Sequence, residues 1–494
     1  MSGRARWVGT AVAAIGLAIG GFGLAGRSSS LRPGPTQMVS EDPEQSINSN
    51  TSPIAVVDPR RPQVMVVAGR VDAPQLNCTL SVSTTAGEAW RRLDLPLAPA
   101  ATNCFWPDVA FAPDGTLFVL YSPTGGQYNL PLALWLQRFT PDNLAPDGPP
   151  ISVAGALTFQ PRLAVAGNSV LVAWIAAAPA RADKALGFTA PPNPLVLARS
   201  DDGGRTFGPP VAVGEPGRRT VQPTLLAAPG GRVVIGALDL LADEASYETA
   251  DGGLPGPPPA GPWRVVAWTS TDGGATFGPA HVVADGVVPF QRVLIDLAAA
   301  PAFALDPSGG RVYAAWESGG DVDLARSDDG GASWSPAQRV GPAAGDQFLP
   351  GIGVAPGGRV DVAFYDRPAE VANVVLASST DGGRSWTSAT ASDQPFDPRV
   401  GSFTGENIML GSHVAVVSQS AGATVVWPDT ARGNRVNNIV DLASATVAYR
   451  AGRGTKTWLV GLAVLLVVAG AALALRGVSG RLWPGSGAGR GRRP

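Results

Sequence analysis

Short apolar runs with a period of two recur along the chain. Four of them, LVLARS, RVVAWTS, VDLARS and VVLASS, end at Ser200, Ser270, Ser327 and Ser379. Ahead of each lies a second run: SVLVAWIA, RVVIGALDL, RVYAAWES and RVDVAFYD. Ahead of that lies a third, led by proline: PRLAVA, PTLLAA, PAFALD and PGIGVA. Period-two apolar residues bounded by Gly, Pro and Asp predict β-strands. The order predicts a unit of strand A, turn, strand B, loop, strand C, turn and strand D. The units open at Pro53, Pro107, Pro161, Pro223, Pro301, Pro350 and, less regularly, Glu406. Periods near 50 residues point to a propeller or solenoid, and four antiparallel strands per unit favour the propeller. The expectation is therefore an all-β β-propeller of four-stranded antiparallel blades. Seven units are counted, with six as the alternative. The seventh lacks a strand D, which the segment just before Pro53 is expected to supply.

The turn between strands C and D repeats almost word for word: SDDGGRTF, STDGGATF, SDDGGASW and STDGGRSW. Each copy places Ser, Asp, Gly, a hydroxyl and an aromatic at fixed offsets. The first three are Ser200, Asp202 and Gly204; Ser270, Asp272 and Gly274; Ser327, Asp329 and Gly331; Ser379, Asp381 and Gly383. A worn fifth copy, STTAGEAW, runs from Ser83 to Trp90, with Thr85 in place of the Asp. An Asp that accepts from nearby backbone N–H groups, and a Gly free to take positive φ, suit a tight hairpin turn.

Both chain ends are apolar. Trp7–Leu24 follows Arg4 and Arg6 and fits a secretory signal or an anchor over 1–26. Trp458–Leu475, within a span placed at 457–475, would cover about 27 Å at about 1.5 Å per residue, enough for one C-terminal transmembrane helix. Five arginines follow it, so a basic tail at 476–494 is expected in the cytoplasm. The other divisions are a linker at 27–52, the propeller at 53–448 and a juxtamembrane linker at 449–456. The chain is thus expected to be a single-pass protein of the cell membrane with its propeller extracytoplasmic.

Composition narrows the function classes. The net charge of −2 gives no basic face, so nucleic acid is not expected as a partner. Lys occurs only at Lys184 and Lys456, so single arginines carry little signal. The two cysteines, Cys78 and Cys104, read outside the cytoplasm as a disulfide, with two buried free thiols as the alternative. With His281 and His413 the only histidines, no zinc site is expected, nor any other metal or cofactor.

The four turn phrases resemble Asp-boxes, the BNR repeats of the sialidase-like propeller superfamily, over roughly residues 53–448. The resemblance implies that these turns are structural and lie opposite the active site. It also implies what an active sialidase needs: three arginines, a Tyr–Glu nucleophile pair and an acid/base Asp. The first-blade region SPIAVVDPRRPQVMVV lacks the usual arginine motif; Arg60 and Arg61 sit there in a proline-flanked turn. The tyrosines Tyr121, Tyr128, Tyr247, Tyr313, Tyr365 and Tyr449 lack the context of such a nucleophile.

Strand-B ends carry Asp239, Glu317, Asp366 and Asp429, with Arg162, Arg367 and Arg432 near strand ends. At a channel mouth they could bind an acidic sugar or hydrolyse a glycoside; alternatively they end strands where the chain meets water. Long B–C connections, Ala176–Pro194 and Leu241–Pro262, should crowd that face, where loops carry sites. The reading is a monomeric, non-catalytic binding propeller for a glycan or cell-surface protein. The alternatives are an exo-α-sialidase or other glycoside hydrolase and a scaffold in an envelope complex.

Overall fold

The run RVVIGALD forms a strand, Arg232–Asp239, because branched and small apolar side chains can be buried on both sheet faces at once. It pairs on one side with Thr220–Ala228 and on the other with Trp263–Ser270, which pairs in turn with His281–Val287. All pairings are antiparallel, and this sheet is one blade. A computed structural model describes residues 29–40, 49–99, 101–126, 129–177, 194–215, 217–241, 262–288, 299–307, 310–341, 345–401, 408–452, 468–469 and 471–472. Leu31–Tyr449 is one compact unit containing seven such sheets.

Numbered from the N-terminus, the seven innermost strands are Ser49–Asp58, Phe105–Phe111, Thr158–Ala166, Thr220–Ala228, Ala302–Leu305, Asp346–Val354 and Ala415–Gln419. Blade 2 adds a small hairpin, Thr124–Gly125 with Leu130–Pro131, between its strands B and C. Glu406, the seventh expected opening, lies outside the described residues. In blade 7, strands A, B (Gly422–Asp429) and C (Asp441–Arg450) come from the chain's end. The fourth strand is Ser30–Pro33, and Gln37–Met38 adds a further pairing to strand C. The stretch 27–52, expected as a linker, is therefore partly blade: it closes the ring and also holds the start of the first inner strand. The count of seven holds.

The two apolar chain ends lie almost wholly outside the described residues. Among the described residues no helix is long and apolar enough to cross a membrane.

The Asp-box turns lie at the end of each blade where strand A turns into strand B. Gly203 N donates to Asn168 O and Gly273 N to Gly231 O, both acceptors being in A–B turns. In the third box Ser327 Oγ donates to Asp329 Oδ1 at 2.7 Å, and Ser333 N donates to the same oxygen at 2.9 Å. Ser333 Oγ reaches Oδ2 at 2.5 Å. These bonds hold the Asp329 carboxyl well below the usual carboxylate range.

The second glycine of the box looks outward to the preceding blade. A Cβ on Gly383 would stand 2.7 Å from Leu324 Cδ2, and one on Gly204 would stand 2.9 Å from Leu136 Cδ2. Both have positive φ, 92° and 76°, so only glycine fits. Each phrase therefore joins its blade to the one before it.

Blades without an intact phrase are joined on that face by other means. Arg60 and Arg61 of blade 1 donate to Asp114 O, Pro141 O and Asp142 of blade 2. Arg359 of blade 6 donates to Gln419 O and Gly422 O of blade 7, each at 2.8 Å. Trp90, in the worn box of blade 1, donates to Ser444 Oγ of blade 7 at 3.0 Å. The expected disulfide joins Cys78 of blade 1 to Cys104, next to the inner strand of blade 2.

Candidate functional site

Five inner strands share a break that no period-two pattern predicts. The residue before the repeat proline adopts a left-handed conformation: Ser52 (φ 48°), Trp106 (44°), Gln160 (49°), Gln222 (55°) and Leu349 (51°). Pairing with strand B skips at the same place in each, between Thr51 and Ile54 and at the equivalents. An l-residue there is strained, and its persistence in five blades requires surrounding bonds to hold it. Gln222 N donates to Gln160 Oε1 at 2.7 Å and Ser412 N to Ser52 Oγ at 3.0 Å. Ala300 N donates to Ser412 O at 2.8 Å. The bulges thus form a collar, cross-bonded between blades, where the D–A connections enter the inner strands.

Past the collar, the axial channel holds a cavity of about 290 Å³. Its walls come from the inner strands of all seven blades, and most are apolar. The ionisable exceptions are three. Asp108 and Arg162 each follow the repeat proline, and His413 approaches from blade 7. Arg162 and His413 also line a void of about 20 Å³ within the collar, with Arg70 and Trp106.

Asp108 accepts from Val109 N at 2.7 Å and Leu163 N at 2.9 Å. Burial pushes its carboxyl up to about 6, against the opposing pull of Arg162 and these two N–H groups. Arg162 donates through Nε to Pro223 O at 2.7 Å, and burial lowers its pKa. Burial, together with the charges of Arg162 and Arg70, holds His413 well below its ordinary value, so it is neutral at pH 7. His413 Nδ1 is 2.9 Å from Ser412 Oγ, and its Nε2 is buried without a partner. Arg70 pairs with Asp72 at 2.7 Å.

Of the residues singled out in the sequence, only Arg162 lines this channel. The others end strand B beside the start of strand A, on the collar face. Asp239 lies opposite Thr220 and Asp366 opposite Gln347. Each is engaged locally. Asp239 pairs with Arg218 at 2.5 Å and accepts from Leu241 N. Glu317 accepts from Leu349 N at 2.9 Å, which helps hold the blade 6 bulge. Asp366 accepts from Gly345 N, and Arg367 pairs with Asp346 at 3.0 Å. Asp429 accepts from Trp427 Nε1 and Ala431 N, and Arg432 lies 3.5 Å from Asp441.

Asp366, Arg367, Asp429 and Arg432 fall in adjacent blades 6 and 7, which Tyr365 links through its hydroxyl to Pro428 O. Arg399 joins this side, paired with Glu370 and Asp397, and Arg435 pairs with Asp397. The long B–C connections themselves lie mostly outside the described residues. Their described ends, Ala176 opposite Thr158 and Asp239 opposite Arg264, are at the collar end.

The described tyrosines are packing residues. Tyr121, Tyr313 and Tyr365 are fully buried, and burial raises the pKa of each. Tyr449 lies under the Arg359 guanidinium at 4.6 Å. Tyr128 and Tyr247 lie outside the described residues. Among the described residues no cluster of three His, Cys, Asp or Glu could hold a metal.

The seven blades and the Asp-boxes on their C–D turns place the chain by architecture. It is a seven-bladed β-propeller in fold. A protein of unknown function from Dyadobacter fermentans is similar at 13% identity, over 85% of this chain and 100% of that one, with a TM-score of 0.46. A Hadza microbial sialidase is similar at 14% identity, over 78% of this chain and 74% of that one, with a TM-score of 0.44. An ulvan lyase is similar at 12% identity, over 84% and 97% of the two chains, with a TM-score of 0.47. No family model matches the chain, and no curated protein does.

Arg70, Asp108 and His413 were not among the expected site residues. The repeat itself carried a signal for one of them: Asp108 holds the same place after its proline as Arg162. Arg70 and His413 sit on no repeated offset.

Proposed function

We propose that this chain is a membrane-anchored, extracytoplasmic binding propeller that takes a glycan or a cell-surface protein on its collar face without turning it over. The apolar stretch Trp458–Leu475 is the single span, and the propeller stands outside. The observation that carries the reading is the state of the collar-face acids and the tyrosines. Asp239, Glu317, Asp366 and Asp429 are held by backbone N–H groups, Arg218 or an indole, and Tyr121, Tyr313 and Tyr365 are packed inside blades. Groups so committed suit recognition of polar ligands at a rigid rim rather than nucleophilic attack.

One observation favours the hydrolase alternative: a carboxyl titrating near 6, at Asp108, suits general acid catalysis. Against it, both Asp108 oxygens accept from backbone N–H groups. The test applies full-length chain to a glycan array, with a fluorogenic sialoside assay alongside. Retention on glycans without turnover is expected. Turnover that disappears in an Asp366→Ala, Arg367→Ala double variant would replace this reading with the hydrolase.

A further inference from the structure

The axial channel contains a mismatch between its walls and its charge. Leu163, Leu226, Phe303, Ile352, Val414 and Val416 make the cavity largely apolar. Arg162 is placed among them, partly buried, yet its only hydrogen bond to protein among the described residues is Nε to Pro223 O. Asp108 influences it electrostatically but makes no ion pair with it within 4 Å. The two terminal nitrogens of the guanidinium are therefore unpartnered among the described residues. Beside them His413 Nε2 is buried without a partner. Facing a largely apolar cavity with no carboxylate paired to it, the guanidinium keeps donors free for a ligand's acceptor. Its free edge is a planar fork of donors, which a carboxylate fits with two parallel bonds.

We propose that the axial channel binds a small monocarboxylate with an unbranched or aromatic apolar tail, its carboxylate on Arg162 and its tail along the apolar walls. The His413 tautomer with its proton on Nε2 donates a third bond to the carboxylate, and Ser412 Oγ then donates to Nδ1. The cavity of about 290 Å³ sets the size. At roughly 30 Å³ per water-sized group it holds about ten heavy atoms, the size of a medium-chain fatty acid. A polyhydroxylated sugar acid is a poor fit, because the walls leave its hydroxyls without partners. The void within the collar is only about 20 Å³, so the ligand is placed in the wider cavity beyond it. The site is separate from the collar face and stands whether or not a glycan binds there.

Isothermal titration of full-length chain with decanoate, decanol and N-acetylneuraminate tests this. Saturable one-to-one binding of decanoate is expected, with decanol weaker by tenfold or more. Arg162→Gln should weaken decanoate by about tenfold to a hundredfold, the range for a charge-assisted bond. Because Arg162 also bonds Pro223, a second variant leaves it in place: Leu226→Trp fills the channel and should abolish binding while the melting profile stays native. The proposal fails if decanoate does not bind, if decanol binds equally well, if N-acetylneuraminate binds in its place, or if folded Leu226→Trp retains full affinity.

Discussion

Replacing Asp329 by Ala removes the acceptor of one Asp-box and leaves its donors in place. Four bonds end on this carboxylate, from Ser327 Oγ, Ala332 N, Ser333 N and Ser333 Oγ. If protected from water, each charge-assisted bond would contribute about 1.5–3 kcal/mol, and the set would exceed the stability of many domains. Asp329 is exposed, however, so water competes for every donor once the carboxylate is gone. The comparable case is an Asp cap on a helix end, where truncation costs about 0.5–2 kcal/mol. A loss of about 1–2 kcal/mol at pH 7 is therefore expected, read as a shift of the urea midpoint without change of slope.

The pH dependence has a definite sign. The folded-state pKa lies below the unfolded value of about 4, so the stabilisation is present above pH 4 and is lost as pH falls toward the folded value. The gap between wild type and Asp329→Ala should narrow below pH 4. A gap unchanged between pH 7 and pH 3 would show that the carboxylate bonds are not its source. Loss of ligand binding with an unaltered midpoint would show that the box is a binding site.

Two further outcomes follow from the same structure. Arg359→Met should destabilise by about 3–5 kcal/mol in the same urea assay, because it leaves the buried Asp361 carboxylate without its bidentate partner and unlinks blade 6 from blade 7; a cost under about 1 kcal/mol would contradict this. Protease added to intact cells should digest the propeller and spare an epitope in 476–494, and loss of that epitope would reverse the proposed topology.

The sequence makes the strands and their count readable because each blade repeats one local problem: an alternating run, a turn with special φ, another run. Ser200 to Phe207 and its copies solve it in the same words each time. The collar is not readable in that way. A residue before proline is ordinarily extended, yet Gln160 and Gln222 are left-handed, held by a bond from one to the other across blades. That geometry depends on ring closure, which no window of sequence contains. The site shows the same division. Asp239, Glu317, Asp366 and Asp429 announce where strand B ends, and their bonds show that ending strands occupies them. Arg162 is singled out in the sequence as a charge near a strand end, but only three dimensions show that it lines a largely apolar channel. His413 draws no notice in the sequence, because two histidines make no zinc site, although one suffices beside an arginine.

The fourth strand of blade 7 is Ser30–Pro33, and its partner is Asp441–Arg450. On a chain made from its N-terminus, this strand precedes all seven inner strands, yet it is among the last of the propeller to find its place. It waits while roughly 400 residues are added, an interval of about 20–80 s at ordinary synthesis rates. Throughout that time its edge, and that of the unfinished blade 7, can pair with another copy of the chain. The proline at Pro33, the prolines at Pro35 and Pro43 close by, and the brevity of the strand make it a poor template for such pairing. Any processing of the N-terminus has to spare Ser30, because a cut a few residues further on would leave a ring of six whole blades and one that cannot be completed.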